Sequence, residues 1–221
     1  MIKVFGYLKR YSKGKILIDP NYPNHDNHMT ESYDNWKEFY PESKEDLSDG
    51  NDKPEYLGPP VRITVYKDAD HAHDLVTRRS VTGILLLINN TPVKWVSKRQ
   101  KTIETSTYGS ELVAAKHAVE TILEYRTMLR LMGANVEQTS LMLGDNKSVV
   151  INTTVPSSVL KKKHCALSYH KVREAIACNV LRFSHIDTNQ NYSDILTKPL
   201  PRIKFRSLIE PLLFGQPIHI E

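Results

Sequence analysis

Cysteine is scarce in this 221-residue chain, which has only Cys165 and Cys178. Both fall on one expected helix, too far apart along it to bridge. That excludes a disulfide framework and points to a reduced, intracellular setting. No apolar run approaches the roughly 18 residues a membrane span requires. The N-terminus, Met1-Ile2-Lys3-Val4-Phe5-Gly6-Tyr7, lacks the apolar core of a secretory signal. No His/Cys set has zinc-finger spacing, which argues against zinc. Internal repeats are also missing. What remains is ordinary globular material, 40% hydrophobic and 25% charged, long enough for one good-sized domain with additions.

Charge is unevenly spread. Residues 31–55 hold nine acids against three lysines, a net of −6, while the whole chain is +5, so the remainder carries +11. A basic body suits a phosphate-rich partner, although solvated surface lysines give the same count.

Residues 1–20 read as a short amphipathic helix through Ile2, Phe5, Leu8 and Lys9, then a strand over Lys15–Asp19. Two such elements bury no core, so this segment is expected to dock on an upstream domain. Residues 21–60, rich in Asn, Asp, Glu, Ser and Pro, read as an acidic linker closed by Pro54, Pro59 and Pro60. Within it Trp36, Phe39 and Tyr40 suggest one turn that packs on the main domain. Residues 61–200 form the organised domain, and 201–221 a C-terminal tail.

In that domain Val61, Ile63 and Val65 alternate with polar residues as a half-buried strand. Thr82–Ile88 reads as a buried strand, joined by the Asn89-Asn90 turn to Pro92–Val96. A long helix is expected from Thr107 to Met132, stopped by Gly133. Then follow a strand over Leu141–Leu143, a short helix near Ser148–Asn152 and a basic helix over Lys163–Cys178. A strand over Val180–Ile186 and a last helix from Asn191 to Pro199 complete the set. The order βββαβαβα describes an α/β fold, a mixed sheet with helices on its faces.

Four acids fall where chemistry is expected. Glu111 lies on the helical stripe of Ala115, Ala118, Ile122 and Leu129, the face that should pack on the sheet. A carboxylate there needs a partner or a metal, although an acid near a helix N-terminus is favourable anyway. Asp145 follows an apolar strand, where α/β proteins gather their sites, or it caps the next helix. Asp68 and Asp70 alternate along one strand; Asp68, opposite the Val65 face, is preferred and Asp70 held in reserve. Asp194 opens the last helix. Four clustered carboxylates repel one another unless cations neutralise them. Mg²⁺ suits such an oxygen set, and two ions can activate water and stabilise the leaving oxygen in phosphodiester cleavage.

These residues carry a resemblance. The stretch from Val61 to Leu200 resembles the ribonuclease H domain of copia-type retrotransposon polyproteins. The matching motifs are Asp68-Ala69-Asp70, Arg79-Ser80-Val81-Thr82-Gly83, Trp95–Thr102 and Ser106-Thr107-Tyr108-Gly109-Ser110-Glu111. Further on come Gly144-Asp145-Asn146, Lys163-His164, Tyr169-His170 and Asp194–Leu200.

The resemblance implies a ribonuclease H-like, five-stranded mixed sheet with helices on both faces, and it settles the preference for Asp68. It implies that Asp68, Glu111, Asp145 and Asp194 hold two Mg²⁺ ions, with Mn²⁺ able to substitute. The implied activity is cleavage of the RNA strand of an RNA–DNA hybrid, leaving 3′-hydroxyl and 5′-phosphate ends. Residues 1–18 resemble the end of a reverse transcriptase portion without its catalytic Asp-Asp core. The implied partners are the hybrid and the upstream reverse transcriptase domain, with no membrane, and the setting is a cytoplasmic particle or the nucleus.

Ser106, Thr107 and Asn146 are candidates for contact with the RNA 2′-hydroxyl, or for helix caps. His185 is a candidate proton shuttle or an exposed strand-end residue. Lys161, Lys162 and Lys163, with Lys171 and Arg173, form a basic face for phosphate, as do Lys98, Arg99 and Lys101. His164 and His170 match family positions, with packing and phosphate contact both open.

Overall fold

Apolar alternation along the strands determines which side of the sheet each residue meets. The computed structural model describes residue 12 and residues 14–23, 35–45 and 54–213. In chain order the elements begin with α1 (Trp36–Phe39), β1 (Leu57–Val61), β2 (Ile63–Asp70), β3 (Val81–Ile88) and β4 (Thr91–Arg99). Next come α2 (Thr107–Leu131), β5 (Ala134–Val136), β6 (Ser140–Gly144) and α3 (Lys147–Thr154). A 3-10 turn (Lys163–Cys165) leads into α4 (Ala166–Ala177) and β7 (Leu181–His185). A second 3-10 turn (Tyr192–Leu196) precedes α5 (Arg202–Leu213).

The main sheet has five strands in the order β4-β3-β2-β6-β7. β4, β3 and β2 are mutually antiparallel, whereas β6 runs parallel to β2 and β7 parallel to β6. One face presents Ile63, Val65, Ile84, Leu86 and Met142. It is covered by Leu112, Ala115, Ala118 and Ile122 of α2, with Val149 of α3 and Val172 of α4. The opposite face presents Tyr66, Leu85, Leu87, Leu141 and Leu143, covered by Ile195 and Leu196 of the second 3-10 turn and Leu212 of α5. Helices therefore lie on both faces, as the sequence implied.

Several expectations are corrected. The element from Asn191 is a 3-10 turn rather than a helix, and the expected tail contains α5. The basic helix begins with a 3-10 turn at Lys163–Cys165. β1 and β5 form a separate two-stranded parallel sheet across what read as the linker's end. Pro59 and Pro60, which read as closing the linker, lie within β1, an edge strand, where proline is tolerated. No strand forms over residues 15–19; Lys15 and Leu17 instead donate backbone N–H groups to Leu213 and Leu212 at the end of α5. The helix expected around Ile2–Lys9 lies outside the described residues.

The turn expected at Trp36–Tyr40 does pack on the main domain. Trp36 is buried beneath the Arg173 guanidinium at 4.9 Å, and the Tyr40 hydroxyl bonds to His170 Nδ1 at 2.8 Å. Phe39 remains largely exposed. No helix among the described residues is long and apolar enough to cross a membrane.

Candidate active site

β2 and β6 run parallel with Tyr66 opposite Leu143. The chain therefore leaves β6 at Asp145 beside the half of β2 that carries Asp68. Asp68 shares the Tyr66 face, towards the second 3-10 turn, and pairs across the sheet with Gly83. A Cβ at Gly83 would sit 2.6 Å from Thr197 Cγ2 and 2.8 Å from the Ser193 carbonyl oxygen. Only glycine lets the turn settle this closely. Buried Asn191 ties the turn down by donating to the Lys67 carbonyl at 3.1 Å.

That approach brings Asp194 to Asp68. One carboxylate oxygen each from Asp68, Asp145 and Asp194 lie within 4.8 Å of one another. Thr197 donates a short hydrogen bond to Asp68 Oδ2.

Glu111 reaches the same cleft from the other side of the sheet. It lines the opening with Asp68, Asp70, Thr107, Asp145 and Asn146. Its carboxylate accepts a hydrogen bond from Lys67 Nζ at 2.6 Å, and the Lys67 side chain is fully buried.

The cations that clustered carboxylates require are thus present as ammonium groups. Lys198 Nζ lies 3.4 Å from Asp68 and 3.0 Å from Asp194, and Lys204 Nζ lies 2.5 Å from Asp194. Burial raises the Glu111 carboxyl to about 7, against the pull of Lys67 and with help from Asp68 and Asp145. Burial also raises Asp194, against hydrogen bonds from Lys204 and Lys198. On Asp68 burial acts the same way, but the Thr197 hydrogen bond and the charges of Lys198 and Lys67 outweigh it, so that carboxyl lies below its ordinary value.

Sequence reasoning missed Lys67, Thr197, Lys198 and Lys204. Lys67 did leave a signal: alternation puts it on the core-facing side with Ile63 and Val65, where an unpaired ammonium is untenable. Lys198 lies four residues beyond Asp194. Lys204 left none while its segment read as tail.

Other candidates fall as follows. Ser106 caps α2, accepting from Gly109 N at 3.2 Å and bonding Lys162 Nζ at 2.5 Å. Asn146 caps α3, accepting from Val149 N at 3.1 Å, and also lines the cleft, as does Thr107. Lys161 is exposed just before the first 3-10 turn and Lys163 is exposed at its start. Asp70 bonds His73 Nδ1 at 2.6 Å. His185 ends β7 opposite Gly144 and does not line the cleft.

Arg173 is a correction. It is buried, donating to the Asn152, Val155 and Pro156 carbonyls, so it belongs to no phosphate-gripping face.

This chain is similar in sequence to several retrovirus-related Pol polyproteins. The retrovirus-related Pol polyprotein from transposon TNT 1-94 of Nicotiana tabacum is 31% identical over 140 residues, 63% of this chain and 10% of that protein. The one from transposon RE2 of Arabidopsis thaliana is 27% identical over 150 residues, 68% of this chain and 10% of that protein. The Pol polyprotein from transposon RE1 of Arabidopsis thaliana is likewise 27% identical over 150 residues, 68% of this chain. The chain spans about a tenth of the length of the Pol polyproteins it matches. No family model matches it. Among solved structures, LC11-RNase H1 in complex with an RNA/DNA hybrid is 16% identical with a TM-score of 0.49, covering 62% of this chain and 94% of that one. The α/β fold with a five-stranded mixed sheet and helices on both faces, implied by the sequence, is the one observed.

Proposed function

We propose that this chain is the ribonuclease H portion of a retrotransposon polyprotein, hydrolysing the RNA strand of RNA–DNA hybrids to 3′-hydroxyl and 5′-phosphate ends. The observation that carries the reading is the convergence of Asp68, Asp145 and Asp194 oxygens within 4.8 Å, with Asp68 and Asp145 lining an open cleft. An all-oxygen set of this kind fits a hard dication such as Mg²⁺, or Mn²⁺ in its place. Bound there, two such ions would supply an activated water and charge stabilisation for an in-line displacement.

Asp68, Asp145 and Asp194 hold the first ion in this reading. Glu111 joins the ligand set by releasing Lys67, whose ammonium pairs with it until then. Thr107 and Asn146, at the cleft's rim, face the 2′-hydroxyls of the minor groove. Lys161, Lys162 and Lys163 grip backbone phosphates, giving binding a steep salt dependence. A proton-shuttling role for His185 predicts that His185→Ala slows cleavage at saturating hybrid without weakening binding. The upstream reverse transcriptase domain is the partner within the polyprotein, and a cytoplasmic particle or the nucleus the setting.

The test is cleavage of a labelled hybrid in Mg²⁺ by the native chain and by Asp145→Asn. The native chain should cut and the variant should not; equal activity removes the site assignment. The Lys67–Glu111 ion pair favours a second reading, a hybrid-binding module without catalysis. Hybrid binding without cleavage in either Mg²⁺ or Mn²⁺ would establish that one instead.

A further inference from the structure

A second cluster of ligating groups lies outside the acid cleft. Glu104 is in the loop between β4 and α2, and His164 and Cys165 are in the 3-10 turn before α4. A carboxylate oxygen, a ring nitrogen and the sulfur of these residues all lie within 4.8 Å of one another. Glu104 Oε2 is 3.7 Å from His164 Nε2 and 3.8 Å from Cys165 Sγ. Tetrahedral zinc, with bonds of about 2.0–2.3 Å to N, O and S, sets ligand–ligand edges of roughly 3.3–3.6 Å. Both measured separations lie within a few tenths of an ångström of that edge.

The surroundings fit a site rather than a chance meeting. Thr102 Oγ1 donates to Glu104 Oε1 at 3.1 Å, which leaves Oε2 turned towards the sulfur and imidazole. A Cβ at Gly109 would come 2.6 Å from that same Oε2, so a bare glycine makes room for it. Among the described residues no lysine or arginine pairs with Glu104. The neighbouring Lys162 bonds Ser106 instead. Cys165 is buried while the His164 side chain is half-exposed, so the cluster lies at the edge of the core.

We propose that Glu104, His164 and Cys165 form a three-ligand site for one borderline-soft divalent cation, Zn²⁺ by its donor set, with water in the fourth position. A mixed S/N/O set selects against Mg²⁺, which prefers all-oxygen ligation. The ion clips the loop before α2 to the turn carrying Lys161–Lys163. The expectation against zinc rested on finger spacing; here the donors come from segments about 60 residues apart in sequence, brought together by the fold.

The experiment uses the full chain, freed of metal by chelation and kept reduced, and titrated with Co²⁺ as the spectroscopic probe. A near-ultraviolet thiolate-to-cobalt charge-transfer band should grow to one equivalent and be displaced by Zn²⁺ but not by excess Mg²⁺. Cys165→Ser should abolish the band, Glu104→Gln should weaken binding at least tenfold, and Thr102→Val should weaken it by about tenfold. Cys178→Ser and Asp145→Asn should leave it unchanged, the latter separating this site from the acid cleft. Absence of the band in the native chain, or its persistence in Cys165→Ser, overturns the proposal.

Discussion

α2 buries a charge near each of its ends, and the two are handled differently. Arg126, near the C-terminal end, has a fully buried side chain with every donor nitrogen engaged. It holds both Glu45 oxygens at 2.7 and 2.8 Å, the carbonyls of Glu137 and Gln138, and Ser140 Oγ. Glu111, near the N-terminal end, has one ammonium partner and faces a cleft lined by further carboxylates. Burial of a charge is therefore not a sign of chemistry in itself. The sign is a buried charge left short of partners, beside like charges, where solvent and substrate can reach it.

The sharpest way to break this contrast is to remove the saturated charge. Arg126→Met leaves the Glu45 carboxylate to Arg130 alone and three further acceptors unpaired, and should cost about 3–5 kcal/mol, the range for breaking a buried ion pair from one side. Urea unfolding would read it, and no divalent cation should restore it. A loss below about 1 kcal/mol would mean that Glu45 and its segment contribute little to the fold.

Lys67→Met is the counterpart at the other end, with a smaller expected loss of about 3 kcal/mol or less at neutral pH. The stranded Glu111 can escape by taking up a proton, because burial already raises it to about 7. A carboxyl raised in the folded state contributes stability fully below its unfolded value near 4.5, lost as pH rises through the folded value. The Lys67→Met defect should therefore shrink on acidification from pH 7 towards 5. Added Mn²⁺ should also reduce it, unlike the Arg126→Met defect. Glu45 slopes the opposite way. Burial would raise it, but hydrogen bonds from Arg126 and Arg130 hold it lower, so its contribution is lost as pH falls. Parallel pH profiles for the two variants would erase the distinction.

Reading the chain as a sequence reached one end of this helix and not the other. The apolar stripe through Glu111, Ala115, Ala118 and Ile122 continues to Arg126, four residues on, so both charges carried the same signal. Glu111 stood out because Asp68, Asp145 and Asp194 sat at strand ends or helix starts nearby in the motif order. Arg126 has no such company, since its main partner Glu45 lies 81 residues away in a segment that read as linker. The sheet was legible because apolar runs and period-two alternation are local. The ammonium partners of the acids, the β1–β5 pair and the burial of Arg173 depend on contacts that no local pattern encodes. Arg173 does lie one turn after Tyr169, on the buried side of α4, which was a usable hint.

The smallest predicted effect tests whether the acidic segment is held as firmly as its ion pairs suggest. Tyr40 bonds His170 Nδ1 at 2.8 Å and accepts from Arg173 Nε at 3.2 Å, while its ring lies 5.7 Å from the guanidinium. Tyr40→Phe keeps the ring and removes the hydroxyl, so it should cost about 1 kcal/mol, the net worth of one such bond with partial loss at a buried donor. Because Glu45 still anchors residues 35–45 through Arg126 and Arg130, hydrogen exchange should rise only around Tyr40, with β2 and α2 unaffected. Loosening that spreads to Arg126 would mean the hydroxyl, rather than the buried ion pair, holds this segment to the domain.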